Sequence, residues 1–177
     1  MRSPPRAPGP GRAKSGPTAA SAQAIARYLV GLRPILGDAC NERNKWVRQI
    51  GGLLDQARTG SVLRVARGAG QLGREFSESF RQIRARIESL NPPPECDVCH
   101  AAVRAWVEAL LGSCETMLEI GRSGNLSILS QSQEHLVEAR VQARRFNDEY
   151  SRLANELRRR VATARRQMGT SGRSTAG

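Results

Sequence analysis

The sequence predicts an all-α protein, an elongated up-down-up-down four-helix bundle made of two helical hairpins. Three observations predict it. Apolar residues recur every three or four positions through four long segments, the spacing that keeps one face of a helix buried. Aromatic residues make up only 4% of the chain, so the core must be built from Leu, Ile, Val and Ala, which suits packed helices better than a sheet sandwich. Finally, "LLDQARTGSVL" at 53–63 matches "MLEIGRSGNLS" at 117–127, an offset of 64 residues. Each is a helix end, an Arg-x-Gly turn and a new helix start, so the halves read as a duplicated hairpin.

The first 17 residues are basic and rich in Pro, Gly and Ser, and are expected to form a disordered arm. The bundle is expected over 18–168, as hairpins 18–90 and 94–168, with a disordered tail at 169–177. The first segment starts near Thr18, a plausible N-cap by residue type. Its stripe is Ile25, Leu29, Leu32, Leu36, Cys40, Val47, Ile50, Leu54 and Ala57. Pro34 is expected to kink or break it, because proline removes a backbone donor and clashes with the preceding turn. The polar run "NERNK" also interrupts the stripe, so two pieces are expected.

The second segment carries Val62, Ala66, Ala69, Leu72, Phe76, Phe80, Ile83, Ile87 and Leu90. Gly68, Gly70 and Gly73 lie inside it, each costing about 1 kcal/mol relative to Ala. Their expected role is close helix approach or a loose segment, not a ligand loop. "NPPP" ends this helix and opens the third, since a proline at the first helical position loses no intrahelical bond. The third stripe is Cys96, Cys99, Val103, Trp106, Leu110, Cys114 and Met117. The fourth is Leu129, Leu136, Ala143, Phe146, Tyr150, Leu153, Leu157, Val161, Ala164 and Met168. Trp46 and Trp106 read as core or helix-interface anchors.

Charge is concentrated at the ends. The net charge is +12. Residues 1–14 hold Arg2, Arg6, Arg12 and Lys14, and residues 157–177 hold Arg158, Arg159, Arg160, Arg165, Arg166 and Arg173, with no acid in either stretch. The chain between them has 18 basic and 16 acidic residues. In an up-down-up-down bundle the start of the first helix and the end of the fourth share a pole, so the two basic ends predict one cationic pole. Arg158, Arg159, Arg160, Arg165 and Arg166 are therefore the candidate anion or nucleic-acid contacts. No helix-turn-helix, zinc finger or aromatic-interleaved basic patch accompanies them.

Cys96-Asp97-Val98-Cys99-His100 has the Cys-x-x-Cys-His form that attaches haem. Three features oppose haem: no export signal is visible, the motif opens the third helix, not the end of the last, and few aromatics could wall a haem. A zinc site would need a fourth ligand. By the 64-residue offset Cys40 falls level with residue 104, so Cys96, Cys99, His100 and Cys40 form the candidate metal set, and Asp148 and Glu149 could approach His100 from the fourth helix. A dithiol pair at a helix start would have lowered thiol pKa values, but Glu95 and Asp97 place negative charge beside it. The adopted reading is that Cys40, Cys96, Cys99 and Cys114 are small core hydrophobes.

No Ser/His/Asp set, P-loop or dinucleotide glycine motif is present, so an enzyme is not expected. The N-terminus lacks the apolar middle region of a secretory signal and no apolar run approaches the roughly 20 residues that span a bilayer. A cytoplasmic protein with no membrane role is expected, with no cofactor beyond the zinc alternative and no inferred small-molecule substrate. The expected function is a non-enzymatic interaction or scaffold module, working through a protein partner or self-association. A metal- or thiol-binding bundle and an accessory nucleic-acid binder are the alternatives.

Overall fold

A computed structural model describes residues 19–171. The expected arm at 1–17, the Thr18 cap and most of the tail lie outside them. Four α-helices follow one another: α1 Ala19–Ala57, α2 Val62–Glu88, α3 Asp97–Ser123 and α4 Leu129–Ser171. Single 3-10 turns, Pro94–Cys96 and Leu126–Ile128, lead into α3 and α4. The described residues contain no strand, and the helices pack into the expected all-α four-helix bundle.

The ends of the helices follow their sequence. Ser61 caps α2 by accepting from the Arg64 amide, which satisfies one of the four donors a helix start leaves open. Gly124 ends α3 at φ 69°, donating its amide to the Ile120 carbonyl. This is the left-handed cap that glycine adopts without strain. Asn125 then caps the following turn through the Ser127 amide at 3.0 Å. The proline stop works one step later than expected: Pro94 opens the 3-10 turn, and α3 itself starts at Asp97. At the far end, α4 runs three residues beyond Met168, to Ser171.

Pro34 neither breaks nor ends α1, which is one helix of 39 residues. Pro34 and Val30 both lie on the exposed face, Val30 with 72% exposure. The carbonyl of Val30, which proline leaves without its helical donor, can therefore be hydrated. "NERNK" is helical as well, with Lys45 paired to Glu42 at 2.7 Å.

The helix α3 is the axis of the molecule. Between Cys99 and Ile120 only Ala101, Arg104, Glu108 and Glu115 are exposed; all other positions face a neighbour. It packs closely along both α2 and α4, whereas α1 leans mainly on α2 and touches α4 only sparsely. The reason for the tight α2–α3 contact is the glycines of α2. A methyl group added to Gly121 would lie 2.2 Å from the Gly70 Cα, and one added to Gly73 would lie 2.6 Å from the Cys114 carbonyl oxygen. The two backbones touch there, so the interior glycines serve close approach. On the other side of α3 the His135 ring covers Gly112, and Ser113 and Ser132 share a buried hydrogen bond of 2.7 Å.

The two hairpins close on each other but are staggered. Ser21 meets Glu95, and the Tyr28 hydroxyl lies 3.2 Å from His100 Nδ1. The α1–α3 register is thus 72–74 residues, not the 64 of the internal repeat. The difference is about 12–15 Å along the axis. The tip joining α1 to α2 consequently projects past the end of α3, leaving Val62 and Leu63 exposed by 58% and 70%. At the opposite pole Arg160 of α4 reaches Ser21 of α1 at 3.3 Å, and α4 continues to Ser171. The start of α1 and the end of α4 share this pole, as the connectivity required.

The glycines separate packing from propensity. Gly121→Ala should lower stability by about 1–3 kcal/mol, since overpacking forces the backbones apart. Gly51→Ala, at a helical position with nothing within 4 Å, should raise it by about 0.5–1 kcal/mol. Thermal unfolding should show a lower midpoint for the first variant and a midpoint about 1–4 °C higher for the second.

Candidate functional site

The Cys-x-x-Cys-His pole is packed, not open. Cys96 and Cys99 have no exposure and Cys114 has none. Burial pushes the Cys96 thiol up to about 11, with Glu95 adding to the shift. Burial likewise pushes Cys99 up to about 12, with Cys96 and Glu149 adding, and raises Cys114 further. All three are neutral thiols at pH 7, the opposite of an activated dithiol. Tyr28, beside them on α1, is raised by the same burial. His100 sits half-buried against it, with ring centroids 6.0 Å apart. Burial and the neighbouring Arg104 hold its imidazole below the usual histidine range.

The four-ligand set is not assembled. Cys40 is exposed, not on the buried stripe, and lies 12 residues past Tyr28, the residue that meets His100. That separation is about 18 Å along α1. The 64-residue repeat misplaced it because the hairpins are staggered. Among the described residues, no group of three or more His, Cys, Asp or Glu side chains is arranged to hold a metal ion. From α4, the charge of Glu149 adds to the rise at Cys99, and Glu149 pairs with Arg152 at 2.8 Å.

The candidate arginines divide by partner. Arg160 donates to Glu156 at 2.9 Å and to Ser21 Oγ at 3.3 Å, and Ser21 in turn donates to Glu95. This chain ties α4, α1 and the start of α3 together. Arg159 pairs with the same Glu156 at 2.8 Å. Arg158 instead donates to the neutral Asn155 amide at 3.1 Å. It shares a shallow hollow with Arg165, over Leu157, Val161 and Ala162. Arg166 is exposed on the same projecting end.

A site that the sequence analysis missed lies between α1 and α4. It is a groove of about 560 Å³. Leu36, Cys40 and Val47 form its α1 wall, Trp106 and Leu110 of α3 its floor, and Leu136, Ala143, Phe146 and Tyr150 its α4 wall. The Phe146 and Tyr150 rings lie 5.7 Å apart and tilted, an arrangement that aromatic quadrupoles favour. The α1 residues belong to the expected stripe but not to the core. The buried line of α1 runs instead through Ile35, Ala39, Trp46, Ile50 and Leu53, so Leu36, Cys40 and Val47 form a second, unpartnered line beside it. Small residues face them across the gap, Ala139 and Ala143. The visible signal was a doubled apolar stripe in 35–50, too broad for one buried face.

Polar residues at the rim are of one sign. Arg43 and Asn44 of α1 stand opposite Arg140 and Asn147 of α4, and no carboxylate lines the groove. Arg43 donates to the Asn44 side chain at 3.0 Å; neither Arg43 nor Arg140 forms an ion pair among the described residues. The expected anchors, Trp46 and Trp106, are both buried, and Trp46 stacks at a tilt on Phe76, 5.2 Å away.

No protein-family model matches the chain, and no curated protein and no solved structure matches it significantly. Among the described residues, no helix is long and apolar enough to cross a membrane.

The thiols should report their burial. A thiol-reactive chromophore at pH 8 should label Cys40 in the native protein, with Cys96, Cys99 and Cys114 reacting only after unfolding. Because burial raises the folded pKa of Cys96 and Cys99, the unfolded chain loses these protons first. Stability should therefore be intact below about pH 8.5 and fall as pH rises toward about 11–12. Urea midpoints measured across that range should fall less steeply in a Cys96→Ala/Cys99→Ala variant.

Proposed function

We propose that this protein is a non-enzymatic interaction module whose α1–α4 groove receives an amphipathic helix of a protein partner. The observation that carries the reading is the groove itself: aliphatic and aromatic walls between two helices, with arginines on both rims. The residues that form it span 36–47 on α1 and 136–150 on α4, lengths of about 16 and 21 Å. That fits a helix of three to four turns, laid in with its apolar face down. Arg43 and Arg140 then stand over the flanks of the guest, where its Glu or Asp side chains would meet them. The complementary partner is an acidic amphipathic helix.

The chemistry-bearing side chains support binding over catalysis. The three buried thiols are neutral, the imidazole is turned onto Tyr28, and the surface carboxylates near the poles pair with arginines. A helix-in-groove site needs none of them.

The test uses fluorescent 14-residue helical peptides with one apolar face and glutamate, lysine or scrambled flanks. The acidic peptide should bind, slow the labelling of Cys40, and lose at least tenfold in affinity on Val47→Asp. Val137→Asp, at an exposed position outside the groove, should bind as the parent does. Binding that ignores Val47→Asp, or that prefers the lysine peptide, overturns the reading. So does a concentration-dependent dimer abolished by Val47→Asp, which would make a second copy the occupant. A small apolar molecule released from the purified protein and displaced by Val47→Asp would overturn it too.

A further inference from the structure

We propose that the α1–α4 groove selects its guest by an aromatic residue at one end of the guest's apolar face, an aliphatic residue at the other end and two acids between them. The inference rests on the helix-in-groove reading and adds the motif that the guest must carry. Of the chain's two Trp, two Tyr and three Phe, one of each lines this groove: Trp106, Tyr150 and Phe146. They are not spread evenly along it.

The antiparallel register of α1 and α4 defines the two ends. Arg160 reaches Ser21, so at a common rise Leu36 stands about level with Phe146, and Val47 about level with Leu136. Tyr150 lies one turn beyond Phe146. Trp106 lies one turn nearer that end than Leu110, because α3 runs against α4. One end is therefore walled by rings. Tyr150 is only half-buried there, which leaves its ring open to a guest, with Phe146 tilted against it at 5.7 Å. The other end is walled by Val47, Leu136 and Leu110, aliphatic side chains with no ring among them. Between the ends Arg43 and Arg140 stand on opposite rims, about 3 Å apart along the axis.

These levels translate into positions on a guest helix. An apolar seam at i, i+4, i+7 and i+11 keeps one face down over about 16 Å, the distance from Phe146 to the level of Val47. A ring at i meets Tyr150 edge to face, a contact that an aliphatic side chain cannot make. An aliphatic residue at i+11 suits the far end, which has no ring to offer. Positions i+6 and i+8 then fall on opposite flanks at the level of the two arginines. Glutamates there each meet a guanidinium, whose planar fork can donate two parallel hydrogen bonds to a carboxylate. A guest running the other way carries the same order reversed, with its ring at i+11 and its acids at i+3 and i+5.

The test uses full-length protein and fluorescent 14-residue helical peptides with a leucine seam and two glutamates, in both chain directions. In the direction that binds better, phenylalanine at the ring end of the seam should bind about fivefold tighter than leucine there. Moving that phenylalanine to the opposite end of the same peptide should lose the gain. Tyr150→Leu should shrink the phenylalanine preference to below about twofold. With benzoylphenylalanine as the anchor, photocrosslinks should fall at 146–150 of α4 and not at 134–138. A peptide that binds but ranks phenylalanine and leucine equally, or an anchor that crosslinks at 134–138, overturns this inference and leaves the helix-in-groove reading standing. No binding by any peptide overturns both. So does a dimer of the protein alone that Tyr150→Leu dissociates in sedimentation, which would make a second copy the occupant.

Discussion

The contact of two backbones, at Gly70 and Gly73 of α2 and Gly121 of α3, is the constraint on which the rest of the molecule depends. A helix that carries three glycines in its interior surrenders about 1 kcal/mol at each relative to alanine. Here the loss is offset by bringing two helix axes closer than any side chain would permit. Close approach lets the flanking residues, among them Phe76, Cys114, Met117 and Ile120, bury completely or nearly so. It also fixes α3 as the helix around which the others are arranged, covered by α2 on one side and α4 on the other.

Once α3 is central, α1 is left with the poorer share of the core. It leans on α2 through Trp46 and Phe76 and is tied at its start by Ser21 and Tyr28, but along its middle it stands off from α4. The standing-off is what creates the groove. A bundle with four equal interfaces would have filled that space with the side chains of Leu36, Val47 and Phe146. With the stagger, the tip shared by α1 and α2 runs past the end of α3 at one pole, and α4 reaches the described start of α1 at the other. The first exposes Val62 and Leu63 at the start of α2.

The Cys-x-x-Cys-His stretch shows how spacing alone can suggest chemistry that packing withholds. Three of the four cysteines lie on buried lines, where loss of solvent keeps them protonated. The fourth faces the groove. His100 is engaged by a tyrosine from α1, and Glu149 on α4 is paired with Arg152. The residues are those of a ligand set, but their side chains are distributed among a core, a half-buried ring pair and an open surface.

The sequence by itself determined the all-α class, the four helices, their order and the turns, because apolar periodicity, glycine and proline act over a few residues at a time. It also determined that the start of α1 and the end of α4 would share a pole, which follows from an even number of antiparallel helices. The burial of Cys96, Cys99 and Cys114, the close approach at the α2 glycines and the buried tryptophans were legible in the same way. Only the tertiary structure decided the register between hairpins. The internal repeat measured 64 residues, whereas the packed helices meet at 72–74, because axial position is set by which surfaces interlock and not by descent from a common hairpin. That shift moved Cys40 away from His100. The tertiary structure also decided that Pro34 could remain inside a helix, since its face is turned to solvent, and that the broad apolar band of α1 would divide into a core line and a groove wall. Such a division depends on how far a neighbouring helix stands away, a distance that no local pattern encodes.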